Sequence, residues 1–321
     1  MDRDSRILVV NAQAFIGSAI ARVLKTHGYT GVSMLPGKPS KLLDLSGVDS
    51  FFAQNKPEYV FLSAGKSAGI MGNIQFPAEL MLDNLRIVCQ VVDSAYRHGV
   101  KKLLFLASNC CYPKNCPQPM SEKYLLNGPL EPTNEPYAVA KIAGLKLVQS
   151  YRKQYGADFI CGIPANSFGP GDDFSEDNSH VFGALIQRIH TAKEKGMGDV
   201  LIWGTGKPRR EFMYVDDLAD ACIYIMNKYS DFEPVNLGPG GDLSIAELAS
   251  MVKSTVGFEG DLIFDATKPD GMPIKLLNTA KLKAMKWEST IDFQKALDTT
   301  YAWFLTEKNT CIPNAALEQR R

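Results

Sequence analysis

Five short apolar runs, at 7–10, 32–35, 59–63, 102–107 and 159–163, recur through the first half of the chain, with longer stretches of helical period between them at 16–27, 46–54, 77–98 and 136–155. A strand of four to six residues followed by a helix and another strand of the same character is the pattern of βαβ units, and each run is apolar enough to be covered on both faces. Gly28 and Gly99 stand where two of the helices should stop. The expected fold is therefore α/β, a Rossmann-type doubly wound parallel sheet.

The second half has a different texture. After Gly169 glycine and proline become dense, the periodic segments shorten, and polar loops such as 169–179 and 204–210 have the look of ligand-holding segments. We expect a nucleotide-binding domain over 1–165, rejoined by about 211–236, and a smaller mixed α/β substrate domain over about 166–210 and 237–321. A chain of 321 residues has ample material for this, and 45% apolar with 22% charged residues is ordinary for a folded protein.

Thirty-five basic and thirty-five acidic residues cancel, which gives no electrostatic reason to expect nucleic acid as a partner. Seven cysteines without paired CxxC spacing suggest reduced thiols and no metal site. The start, MDRDSRILVV, lacks a basic segment followed by a long apolar one, and no apolar stretch approaches the roughly 18–20 residues of a membrane helix. The expected location is the cytoplasm, with no membrane association.

The stretch ILVVNAQAFIGSAI has the strand, turn and helix start of a dinucleotide site, but Asn11, Ala14 and Gly17 stand where three glycines are usual. Asn11 tolerates left-handed backbone angles and can make the first turn, whereas a methyl group at Ala14 should push the pyrophosphate outward. Asp44 and Leu45 follow the second strand where an adenine contact is expected, though an Asp in such a loop is commonly a helix cap. Lys38 and Lys41 suit a 2′-phosphate, so NADP(H) is favoured and NAD(H) stays open.

Ser108 ends the fourth apolar run, where open α/β sheets bind their ligands, and Tyr137-Ala-Val-Ala-Lys141 follows on a helix. Four residues of separation put phenol and ammonium on one face, and a nearby ammonium is expected to favour the phenolate. Ser108, Tyr137 and Lys141 form the pattern of a short-chain dehydrogenase/reductase. Asp216 and Asp217 read as helix-start residues favoured by the dipole.

Longer runs are more discriminating. KKLLFLASNCCYPK, LEPTNEPYAVAKIAG, PANSFGPGDDFSEDNSHV, WGTGKPRREFMYVDDLA and FDATKPDGMPIKLL together make the chain resemble, nearly end to end, the GDP-L-fucose synthases. These are the 3,5-epimerase/4-reductases of GDP-4-keto-6-deoxy-mannose. The resemblance implies an epimerisation pair at Cys110 and His180, a thiol and an imidazole that can exchange protons with the carbons flanking a C4 ketone. Cys111 is expected to face away from Cys110, because neighbours in an extended segment alternate.

By the same resemblance, nicotinamide-cofactor contacts are expected at Asn11, Ala14, Phe15, Ile16, Gly17, Asp44, Leu45, Ala64, Lys141, Pro164 and His180, and GDP-sugar contacts at Asn166, Arg188, Trp203, Arg210 and Lys275. It also implies a homodimer joined through the two long helices at 77–98 and 136–155. Ala68 and Ile274 depart from the family pattern, replacing a glycine and a basic residue. Two other activities stay open at this point: a single-step epimerase or reductase on another NDP-4-keto sugar, such as a GDP-deoxyheptose, and a non-catalytic sugar-nucleotide-binding homologue.

Overall fold

The runs marked as strands come together in one parallel sheet. In the computed structural model they are β1 (Ile7–Val10), β2 (Val32–Leu35), β3 (Tyr59–Leu62), β4 (Lys102–Leu106) and β5 (Asp158–Pro164), each within about a residue of its expected bounds. The structure describes residues 1–11, 13–35, 44–67, 69–175, 179–268 and 270–310; Lys38, Lys41 and Ala68 lie outside the described residues. The helices are α1 (Phe15–Thr26), α2 (Leu45–Asn55), α3 (Ile70–Gln75), α4 (Pro77–Arg97) and α5 (Glu135–Tyr155).

The later elements are β6 (Asn166–Phe168), α6 (Val181–Glu194), β7 (Asp199–Trp203), β8 (Arg209–Arg210), β9 (Phe212–Tyr214) and α7 (Val215–Lys228). After them come β10 (Val235–Leu237), β11 (Leu243–Ser244), α8 (Ile245–Val256), β12 (Asp261–Asp265), β13 (Ile274–Lys275), α9 (Ala280–Ala284) and α10 (Phe293–Thr310).

The six-stranded sheet runs β10-β5-β4-β3-β1-β2, every pair parallel. The chain moves from β1 to β2 on one side and returns to place β3 on the other, so the strand order reverses at β1. A crevice for a ligand opens at such a reversal, outside the carboxyl ends of the strands. Helix α1 packs on α7, while α4 packs on α5 with α2 beside it. Buried on both sides, β1 and β4 expose no residue.

Strand β10 has no counterpart among the sequence expectations. Three residues between Pro234 and Gly238 are too few to show a period, and it is the pairing Val235↔Gly162 that makes them a strand. Beyond the sheet, a second cluster of buried side chains collects Phe168, Phe182, Phe212, Leu248 and Leu297. Around it lie smaller mixed pieces: β6 parallel to β9, β7 parallel to β12, and β8 between antiparallel β11 and parallel β13.

Asp216 ion-pairs with Arg22 of α1. Asp217 is 4% exposed and accepts from the Ser289 hydroxyl and from the Ile291 amide at 3.4 Å. The two carboxylates thus do more than favour a helix dipole: they fasten α7 to α1 and to the segment leading into α10.

Candidate active site

Ser108 follows β4 at the carboxyl edge of the sheet and accepts from the Cys110 amide at 3.2 Å, capping a single 3-10 turn over Asn109–Cys111. This turn corrects the expectation of an extended segment. Cys110 and Cys111 do diverge, but through helical geometry: Cys111 is fully buried against the Ala138 carbonyl, while Cys110 is half-buried and turned toward β13.

Tyr137 and Lys141 lie one turn apart on α5, and the Lys141 ammonium is 5.9 Å from the Tyr137 ring centre. Lys141 is 6% exposed, donates to the Leu106 carbonyl at 3.1 Å, and is brought down to about 8 by burial. Burial likewise pushes the Tyr137 phenol up, and Cys110 adds to this, with only Ser108 pulling it back. The structure thus differs from the expectation of a favoured phenolate: burial, and no neighbouring ammonium, dominates the phenol and favours its protonated form.

The Cys110 sulfur receives two N–H donors, Asn134 Nδ2 at 3.1 Å and Lys275 Nζ at 3.4 Å. Burial works against ionisation there, yet Lys275, Ser108 and Asn134 together outweigh it and lower the thiol below its ordinary value. Cys111 goes up to about 12, because burial there outweighs the opposing pull of the Ser108 backbone, Lys141 and Lys275. His180 occupies the position before α6 without capping it. Surrounding protein and then the Lys275 charge lower its imidazole, with Asp173 opposing.

The nucleotide-facing residues fit a dinucleotide. Asn11 takes φ 64°, the left-handed turn a first glycine would make, and Ala14 holds an ordinary extended backbone at φ −86°, ψ 163°. No side chain caps α1, so the first-turn amides of Phe15, Ile16 and Gly17 point outward as anion donors. Ala64 follows β3 and is buried, and Pro164 ends β5. At Gly65, φ 155°, a Cβ would collide with the Asn84 side chain and stand 3.1 Å from Lys141 Nζ, which keeps the floor of the crevice flat. Asp44 caps α2 by accepting from the Ser46 amide at 3.1 Å, the role open to it from sequence alone, and Leu45 opens that helix.

The expected sugar-nucleotide contacts fall into three places. The Arg188 guanidinium lies 5.1 Å from the Trp203 ring, with Lys268 at 5.6 Å. Arg210 packs near Gly271 and Asp270 and donates to the Arg209 carbonyl at 2.8 Å. Asn166 accepts from Asn109 at 3.2 Å and donates to the Glu211 carbonyl at 3.2 Å. Lys275 is paired with Arg210 in the β13–β8 register, and its ammonium reaches Cys110.

Asn134, Glu211 and Lys268 were not found by sequence reasoning. Asn134 carried one legible signal, a capping residue just before the Tyr137 helix. It makes no side-chain cap there because its amide reaches the thiol instead.

Known proteins resemble the chain over most of its length. The family model "NAD dependent epimerase/dehydratase family" matches residues 7–238. GDP-L-fucose synthase 1 of Arabidopsis thaliana is 49% identical over 310 residues, 97% of this chain and 95% of that protein. The chain belongs to the GDP-L-fucose synthases of that family.

Among solved structures, the GDP-L-fucose synthetase of Naegleria fowleri bound to NADP superposes with a TM-score of 0.88 at 28% identity, covering 97% of each chain. A GDP-6-OMe-4-keto-L-xylo-heptose reductase from C. jejuni gives 0.88 at 32%, covering 96% of this chain and 99% of its own. The chain thus shares its fold with a GDP-L-fucose synthetase and with a heptose reductase.

Proposed function

We propose that the chain inverts C3 and C5 of a GDP-4-keto-6-deoxy-mannose-type sugar and then reduces C4, giving GDP-L-fucose or a close analogue. The observation that carries this reading is the convergence of Ser108, Cys110, Tyr137 and Lys141 at the carboxyl edge of β4. Cys110, with Asn134 and Lys275 donating to its sulfur, adds a candidate C–H base to the reducing residues.

In this reading Cys110 takes the proton from C3, the electron pair moves onto the C4 oxygen as an enolate, and His180 returns a proton from the opposite ring face. The same exchange at C5 completes the second inversion. A reduced nicotinamide, NADPH in preference to NADH, supplies the hydride that C4 accepts. Tyr137 gives its proton to the developing C4 oxyanion while the Ser108 hydroxyl hydrogen-bonds it. With the cofactor bound, Lys141 would hold its ribose hydroxyls, and Asn11, Ala14, Phe15, Ile16, Gly17, Asp44, Leu45, Ala64 and Pro164 would line its path. Arg188, Trp203, Arg210 and Asn166 take the GDP-sugar.

We assign the nucleotide body to residues 1–165 with about 211–236, and the sugar-nucleotide body to the remainder. The protein is proposed to work in the cytoplasm as a homodimer, supported by Leu82, Tyr96 and Tyr155 exposed along α4 and α5, with the two tyrosine rings stacked at 4.4 Å. No described helix is long and apolar enough to cross a membrane.

The test is incubation with GDP-4-keto-6-deoxy-mannose in deuterated water. Deuterium at C3 and C5 without NADPH, followed by loss of nicotinamide absorbance and a new sugar once NADPH is added, is the expected result. Reduction without exchange would favour a single-step reductase, the alternative that likeness to the heptose reductase keeps in view. Sugar-nucleotide binding with neither reaction would mark a non-catalytic homologue.

A further inference from the structure

Lys275 sits on β13, which Glu211 fixes in place: the Glu211 amide donates to the Lys275 carbonyl at 3.2 Å, and its carboxylate accepts from Leu277 and Gly240 amides, each at 2.8 Å. Glu211 is 1% exposed, so this is an anchored strand and not a surface loop. The ammonium it presents stands 3.4 Å from the Cys110 sulfur. From the opposite element, Asn134 Nδ2 approaches the same sulfur to 3.1 Å, although its backbone position would suit it to cap α5.

A thiol has one weak proton to give, whereas a sulfur approached by an amide N–H and an ammonium is arranged as an acceptor. We infer that Lys275, together with Asn134, is a positioning residue that keeps the Cys110 sulfur in its proton-accepting form. The inference rests on the proposed role of Cys110 as the C–H base. The other groups facing the sulfur are the Asn109 side-chain oxygen, which accepts from the thiol at a long 3.9 Å, the Ser108 hydroxyl, the Tyr137 phenol, the Cys111 thiol and the Lys141 ammonium, and Lys275 also acts on His180. Tyr137 and Cys111 are both pushed toward their neutral forms by burial, and Lys141 is turned to the Leu106 carbonyl. Lys275 is the cation in direct contact with the thiol.

No proton is created or lost in this arrangement. The base takes one from the sugar carbon, the acid on the other face returns one, and Lys275 keeps its own throughout.

The test is alkylation of the full-length protein by iodoacetamide between about pH 6 and 10, followed on the Cys110 peptide by mass spectrometry, with Cys110→Ser as the blank. Lys275→Met should raise the titration midpoint by about one pH unit or more and slow alkylation at neutral pH about tenfold. Lys275→Arg should restore most of the rate, and Asn134→Ala should give a smaller shift in the same direction.

In parallel, deuterium exchange by Lys275→Met should fall in kcat with little change in KM for the sugar nucleotide. An unchanged alkylation midpoint, or a raised KM with exchange turnover intact, overturns the inference. If Cys110→Ser itself still exchanges both protons, the assignment of Cys110 as base is what fails, and the alkylation profile still decides what Lys275 does to the thiol.

Discussion

Lys141 carries a cost that its function explains. Its pKa in the folded chain is brought down to about 8 from an ordinary 10.5, chiefly by burial. Between those values the unfolded chain binds more protons than the folded one, so stability rises with pH across that window and the penalty is fully present below about pH 8. A shift of this size corresponds to ~3 kcal/mol, from which ~1 kcal/mol is subtracted for the lost hydrogen bond to Leu106. Lys141→Met should therefore raise stability by ~1–2 kcal/mol at neutral pH while abolishing reduction. Urea denaturation at pH 7 and at pH 10 checks it, and an equal gain at both would contradict the argument. Of the residues in this site, Tyr137, Lys141 and Ser108 were legible from spacing, because helical period and strand end fix where such side chains point. Cys110 and His180 were legible only through the family's longer runs. Asn134 was not legible as a partner of the thiol, since the contact joins residues 24 apart whose approach depends on how α5 docks.

At the scale of elements, the docking of α5 sets the distance between Tyr137 and Ser108. Helix α5 lies close to β4 and α4 at Gly144, where an added Cβ would meet the Phe105 ring at 2.7 Å and Val88 at 3.0 Å. Alanine gains up to ~1 kcal/mol over glycine inside a helix. Phe105 and Val88 are buried in the main core with nowhere to retreat, and overpacking such a site costs ~1–3 kcal/mol. Gly144→Ala is thus expected to lose stability on balance and to weaken ketone reduction by displacing α5; thermal unfolding and NADPH oxidation measure the two effects. The sequence announced α4 and α5 through their long apolar faces, and their ends lie within a residue of expectation. It did not announce the 3-10 turn after Ser108. Three residues carry too little periodicity to distinguish that turn from an extended segment.

The whole molecule is held together by buried polar groups whose partners are remote in sequence. Asn236 on β10 is fully buried, accepts from the Tyr112 hydroxyl at 2.6 Å, and donates to the Met120 carbonyl at 2.9 Å and the Asn278 carbonyl at 3.1 Å. It thereby joins the sheet's last strand to the segment after the Cys110 turn and to the segment following β13. Asn236→Ala would remove the partner of the buried Tyr112 hydroxyl and of the Asn278 carbonyl, while the Met120 carbonyl keeps its bond from the Asn278 amide at 2.9 Å, and should destabilise the protein by about 2–4 kcal/mol. Loss of less than ~1 kcal/mol in chemical denaturation would show that water replaces the side chain there.

The sequence by itself determined the order of strands and helices in the first half, the parallel sheet, and the residue types of the reaction. Local period and chain reversal are written in neighbouring residues, and the chemistry requires particular side chains. Only the tertiary structure decided the sixth strand β10, the burial that raises the Tyr137 phenol, and the meeting of Lys275 with Cys110 across 165 positions. Each depends on burial or on contacts between distant segments. The phenol's acidity and the thiol's partners are properties of a low-dielectric cleft that exists only after the sheet, α5 and β13 have packed.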